Sequence, residues 1–417
     1  MRDRYWTHVI EVLTGQVAAQ LIPVLVSLAI ARLFSPDAFG VFAKWLSVAM
    51  LISVVLSGRL EAALPLDASG PLRIDTLRAI ITLILLLSIV SFLTLGAAVS
   101  FQPQSFSSPR SMLVLLVPAA ALIALGQSWQ GYAAAEGAFK RLGLMRITLA
   151  AFIASGHLIA GYVQPNGLGM AIGQVAGLAI AVPVCAMLVP AKGLVSEWQF
   201  SRVWAAWLRH RRFVLFSLPA ITLSSLTAQL PVIAVSERFG AAAAGHLAMS
   251  MKALGAPIGL LGRAVLDVFK RQAAESFRVR GECKREYLQT FWVLLSVSAF
   301  CALVAVFILE GAFAIAFGEP WRIAGGMAVL LIPMFAMRFI ASPLSYMAYI
   351  AEKQHVDLWW QVALLISVGL CLYLAPSVRV TLIAYSAAYT GMYTFYLALS
   401  YRFSLGNGES GSSPRSA

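Results

Sequence analysis

Arg32-Leu33-Phe34-Ser35-Pro36-Asp37-Ala38-Phe39-Gly40, followed by an apolar run that closes on Gly58-Arg59-Leu60-Glu61, is the stretch that decides the fold. The turn from Arg32 to Gly40 separates two long apolar runs, so the chain from about Thr7 to Leu66 reads as a hairpin of two membrane spans. Arg59 and Glu61 lie within the second run, where lipid would exclude them. A charge at the centre of an inserted helix costs roughly 2.5–3.5 kcal/mol, and such charges face a protein interior or a watery cavity. Two residues apart on a helix, Arg59 and Glu61 point to nearly opposite sides and are not expected to pair.

The whole chain supports that reading. Its 417 residues are 60% hydrophobic and 12% charged, with a mean hydropathy of +0.82. A soluble protein carries about a quarter charged residues, so this is a polytopic membrane protein. The net charge of +13 falls in alternate loops rather than along one stripe, which argues against nucleic acid as a partner. Cys185, Cys301 and Cys371 sit in apolar runs and Cys283 in a basic loop, so no disulfide is expected. The first apolar run is too long for a cleaved leader and is expected to stay as a helix.

About twelve apolar stretches have the length of a membrane helix, near 9–30, 41–64, 77–99, 111–134, 144–163, 168–189, 213–236, 243–268, 288–309, 322–348, 356–375 and 379–401. They lack sustained alternation, which favours helices over a β-barrel. Pro118, Pro257 and Pro343 mark places where a helix could kink or break. Of the 31 Lys and Arg residues, 21 fall at the termini or in the loops after every second span. Six fall on the opposite side, and Arg59, Lys252, Arg263 and Arg338 lie within spans. This bias places both termini in the cytoplasm.

The spans group as a six-helix bundle over 1–189, a cytoplasmic amphipathic linker over 190–212, a second six-helix bundle over 213–403 and a disordered Gly/Ser-rich tail over 404–417. In the linker, Phe200, Val203, Trp204, Trp207 and Leu208 recur at helical spacing, as in a helix lying on the membrane face. The halves share landmarks: Gln20-Leu21-Ile22-Pro23 precedes Arg32 and Gly40, and Gln229-Leu230-Pro231 precedes Arg238 and Gly245. An even number of spans in each half predicts parallel repeats about an axis along the membrane normal.

Lys252 and Arg263 are eleven residues apart on the eighth span, three turns plus about 20°, and share a face. Asp267 follows Arg263 by four and can pair with it. With Arg338 and Arg59, these cations form a candidate vestibule for an anionic headgroup such as phosphate or pyrophosphate; structural ion pairing or snorkelling to the interface is the competing explanation. Glu61 and Asp267 are candidates for ion coupling. Gln20, Gln127 and Gln229 are candidates for sugar or polar contacts, and interhelical hydrogen bonding explains them equally well. Gly169, Gly173 and Gly177 read as tight helix packing, and His157 as a packed polar residue. No nucleophile triad, metal cluster or phosphate-binding loop is present in the sequence, so neither a catalytic residue nor a cofactor or metal is expected.

Leu13-Thr14-Gly15 through Gln20-Leu21-Ile22-Pro23, the turn Arg32–Gly40 and Arg59-Leu60-Glu61-Ala62-Ala63-Leu64-Pro65 resemble the opening of bacterial polysaccharide biosynthesis proteins. These are the O-antigen-type oligosaccharide flippases of the multidrug/oligosaccharidyl-lipid/polysaccharide exporter superfamily. Gln229-Leu230-Pro231, Phe239-Gly240, Gly245-His246-Leu247-Ala248, Pro257 and Val268-Phe269 extend the resemblance through the second half. The fourth span departs from the pattern, with Ala133-Ala134-Ala135-Glu136 where a polar Asn-Arg-like pair is expected. The resemblance implies two six-helix bundles around a central cavity. It implies export of a polyprenyl-pyrophosphate-linked oligosaccharide across the bacterial inner membrane by alternating access, for O-antigen, capsule or exopolysaccharide. Expected partners are that lipid-linked oligosaccharide, membrane lipids, and a polysaccharide polymerase with its chain-length regulator. The alternatives are a cation-coupled multidrug exporter of the same superfamily and a membrane polymerase or ligase of surface glycans.

Overall fold

The computed structural model describes residues 22, 25–101, 110–195 and 198–406, without the side chains of Leu260, Arg263, Ala264 and Gln354. Every regular element among the described residues is helical. Residues 25–33 end a first helix, α1, and α2 follows at Pro36–Ser57. The turn between them is shorter than the sequence implies. Ser35 caps α2 by accepting a hydrogen bond from the Ala38 amide at 3.2 Å, and Pro36 takes a position where its missing N–H is not needed. Gly40 is therefore a helical residue rather than a turn residue. A Cβ there would strike the carbonyl oxygen of Ala241, and one at Gly245 would strike that of Pro36. The start of α2 thus crosses the start of a later helix in backbone contact.

Three long helices and two shorter ones complete the first part: α3 (Pro71–Phe101), α4 (Arg110–Ala135), α5 (Phe139–Val163), α6 (Gly167–Leu188) and the amphipathic α7 (Phe200–Arg212). A π-helical turn at Phe213–Ser217 leads into α8 (Leu218–Phe239). Contacts divide the chain into two compact units, Met1–Gly245 and His246–Ala417. Within the first, α8 packs on α2, where Lys44 pairs with Glu237 at 2.5 Å. The expected glycine packing is present: Cβ atoms at Gly156 and Gly173 would meet each other's backbone, so α5 and α6 lie in contact. His157 is buried edge-on to Phe42, with ring centroids 5.1 Å apart. Indole N–H groups join helices, from Trp45 to the Met112 carbonyl at 2.8 Å and from Trp129 to that of Val189 at 3.1 Å.

The second unit holds most of α9 (Ala241–Arg280), then α10 (Lys284–Phe317), α11 (Arg322–Leu344), the short α12 (Met347–Ile350), α13 (Gln354–Leu374) and α14 (Val378–Ser404). Pro118 and Pro257 are accommodated inside α4 and α9, while α11 ends one residue after Pro343. At 40 and 34 residues, α9 and α10 measure about 60 and 51 Å, well beyond a hydrocarbon core of about 30 Å, so both run out of the membrane at their joined, basic end. Large apolar side chains lie outward, among them Leu85, Ile89 and Leu93 on α3 and Phe300, Leu303 and Phe307 on α10. Such faces belong in lipid.

Candidate functional site

The first sequence-assigned pair sits differently from expectation. Helix α2 ends at Ser57, where Gly58 adopts φ 58° and returns its amide to the Val55 carbonyl. Arg59 follows at φ 62°, also left-handed, and a 3₁₀ turn covers Leu60–Ala62. The second span therefore stops before Arg59 rather than near residue 64. With the helix broken, the two-residue spacing no longer separates the side chains, and Arg59 Nη1 reaches Glu61 Oε1 at 3.2 Å. The expectation that they would not pair is overturned by these consecutive left-handed residues. Glu61 is mostly buried, and its Oε2 has no hydrogen-bond partner among the described residues. The small Gly131 of α4 lies against the Glu61 backbone, leaving room for this turn.

Lys252 lies on α9, half-buried. Arg338 lies on α11 and is exposed. Neither has a carboxylate within ion-pair distance among the described residues. Other cations contrast with them: Arg73, Arg78, Arg209 and Arg280 each reach an acidic side chain. Helix α11, which carries Arg338, packs against α14, whose uncharged Tyr385, Tyr389 and Tyr393 are the nearby titratable side chains. These tyrosines recur at i, i+4 and i+8 on one face, with ring centroids 5.5 and 5.1 Å apart. The face continues through Trp360 of α13, 5.0 Å from Tyr393 and 4.6 Å from Tyr396. It ends at Asp357, which accepts hydrogen bonds from Tyr396 Oη at 2.8 Å and Gln361 Nε2 at 2.8 Å. Packed rings fix the α13–α14 seam.

The tyrosine face was not among the sequence candidates, although the spacing Tyr385, Tyr389, Tyr393, Tyr396 was there to be read as one stripe. Gln127 is exposed on α4, and Gln229 Nε2 points to Met50 Sδ at 3.5 Å. Asp267 is exposed on α9. The Arg263 side chain, its pairing with Asp267, and Gln20 lie outside the described residues, as does the tail beyond Gly406. The linker stripe divides once folded: Val203 is buried and the Trp207 indole N–H donates to the Ala79 carbonyl at 2.9 Å, while Phe200, Trp204 and Leu208 stay exposed. A helix resting only on lipid would not bury that face.

What holds α7 is a buried polar network that sequence reasoning missed. Asp67 accepts from Thr76 Oγ1 at 2.6 Å and Arg209 at 3.4 Å, and lies 3.1 Å from His210 Nε2. Arg73 donates to the carbonyls of Leu64, Asp67 and Ala135 and to Glu136. Arg78 donates to Asp75 and to the carbonyls of Gly193 and Leu194. Two arginines counted as loop charges are thus interior struts tying α3, α4 and the linker together.

Taken together, these helices make an all-α multispanning membrane protein. Nine helical stretches among the described residues are long and apolar enough to cross a membrane; α9 and α14, which carry Lys252 and the tyrosine face, are more polar and fall outside that set. No family model matches the chain, and no curated protein sequence matches it. Its fold matches solved transporters. The lipid II flippase MurJ, in an inward closed conformation, aligns over 93% of this chain and 87% of its own with a TM-score of 0.73 at 12% identity. An inward-facing multidrug resistance MATE family transporter of the MOP superfamily aligns over 94% of each chain with a TM-score of 0.61 at 12% identity. A MOP superfamily transporter from Pyrococcus furiosus, described by a reversed polarity of its binding pocket, aligns over 95% of this chain and 94% of its own, with a TM-score of 0.60 at 13% identity. The likeness is one of fold, and the chain shares the all-α architecture of these transporters over nearly its whole length.

Proposed function

We propose that this protein is a flippase for a polyprenyl-pyrophosphate-linked oligosaccharide, acting in the bacterial inner membrane by alternating access for surface polysaccharide synthesis. The observation that carries the reading is the state of Lys252 and Arg338, two cations on membrane helices with no carboxylate beside them among the described residues. An unpaired charge there costs roughly 2.5–3.5 kcal/mol, and an anionic substrate offsets that cost each time it binds. A pyrophosphate provides paired oxygens that suit a guanidinium and an ammonium. Arg59 and Arg263 complete the proposed cationic set, and Gln20, Gln127 and Gln229 remain proposed polar contacts for sugar. The transport halves proposed are 1–189 and 213–403, joined by the linker over 190–212.

In cells whose surface glycan depends on this protein, Lys252→Ala and Arg338→Ala should each remove most of the glycan while protein level and membrane insertion stay unchanged. Normal glycan in both variants would sink the reading. A cation-coupled multidrug exporter is the second reading, favoured by Glu61, whose buried Oε2 could take a proton or cation. It requires drug resistance conferred on a sensitive host and lost in Glu61→Gln.

A further inference from the structure

We infer that the basic end of the second unit carries a binding site for the phosphate of an anionic phospholipid headgroup, built from Lys270, Arg278, Tyr346 and Tyr349. Lys270, Ala274 and Arg278 follow one another by four on α9 and share a face. Opposite them, Tyr346 and Tyr349 at the α11–α12 junction stack with ring centroids 5.4 Å apart and planes inclined by 24°. The Lys270 ammonium sits 4.8 Å from the Tyr346 ring centre. With Phe277 and Ile350, these residues line an open cleft of about 320 Å³ on the surface of the second unit.

Three observations select the ligand. Neither Lys270 nor Arg278 has a carboxylate within ion-pair distance among the described residues, whereas Arg280, two residues on, is bound to Glu286 at 2.6 Å. The pocket therefore offers net positive charge. Asp357, whose charge reaches Tyr349, is itself held by Tyr396 and Gln361. Depth supplies the third argument. Lys270 lies 29 residues into α9, about 44 Å along its axis, close to the full bilayer thickness of about 40–45 Å with headgroups, so a helix that enters at its start brings Lys270 to the far headgroup layer. Basic pockets between helices at that level take lipid phosphates, and the two tyrosines suit an interface that is apolar on one side and wet on the other. The site stands apart from the proposed transport residues Lys252 and Arg338, and it holds whether or not the transport reading does.

The test uses the purified full-length chain in mild detergent, titrated with short-chain phosphatidylglycerol, short-chain phosphatidylcholine or inorganic phosphate while its melting temperature is followed. Phosphatidylglycerol should raise the melting temperature saturably, and the other two should not at equal concentration. Lys270→Gln/Arg278→Gln should weaken half-saturation about tenfold or more. Lys270→Arg, which keeps the charge, should bind as the parent does. Arg271→Gln/Arg285→Gln removes equal charge from the same end and should also leave binding intact. Equal weakening in both double variants would reduce the effect to general surface charge and overturn the site. An equal response to inorganic phosphate would overturn the lipid assignment, and an equal response to phosphatidylcholine would overturn the charge argument.

Discussion

Arg59 combines two roles that a single alanine substitution would confuse. Its backbone is left-handed at φ 62°, a conformation that costs a residue with a Cβ about 1–2 kcal/mol, and its guanidinium pairs with Glu61. Arg59→Gly removes the charge and the backbone strain together, while Arg59→Lys keeps both. The Gly variant should melt at or slightly above the parent temperature and lose surface glycan. The Lys variant should melt as the parent does and retain glycan in part. Unchanged glycan in Arg59→Gly would leave Arg59 a structural residue only. The sequence placed an arginine and a glutamate here without error, and the helix-spacing rule then misjudged their pairing. That rule assumes a helix, and Gly58 had already ended it.

At the level of elements, the linker helix shows how far periodicity reaches. The apolar stripe found α7 to within its bounds, because 3.6-residue spacing is local to the sequence. Its anchorage was not legible, since Asp67, Thr76, Arg209 and His210 come from separate segments and meet only after packing. Asp67→Ala should leave the buried Thr76 hydroxyl and His210 ring without their hydrogen-bond partner, which costs about 1–3 kcal/mol, while the half-exposed Arg209 turns to solvent. Hydrogen exchange at residues 200–212 should then accelerate by roughly ten- to a hundredfold relative to the rest of the first unit. If exchange there stays at the parent rate, Trp207 and the apolar face alone hold the helix. The same contrast separates Gly40 from the turn it was read into. A glycine before a helix and a glycine at a helix crossing look identical in one dimension.

For the whole molecule, orientation rests on the loop charges and has a direct check. Of the native cysteines, Cys185 and Cys283 are buried, and burial, with Glu286 beside it, pushes the Cys283 thiol up to about 11. That thiol stays protonated and unreactive at pH 7, and becomes a thiolate only as pH rises through about 11. With Cys301 and Cys371 replaced by alanine, an impermeant maleimide on intact cells should label Pro376→Cys and spare Lys192→Cys until the membrane is opened. The reverse pattern would invert the topology. By itself, the sequence determined the class of protein, the number and approximate bounds of the spans, and which residues are cations in unusual places. Those properties follow from local sums of hydropathy and from charge counts between spans. Only the tertiary structure decided what each cation means, because the partner that neutralises it comes from elsewhere in the chain. Arg73 and Arg78 proved to be satisfied struts and Arg59 a paired turn residue. Lys252 and Arg338 have no carboxylate within ion-pair distance among the described residues, which no count of charges along the chain could have shown.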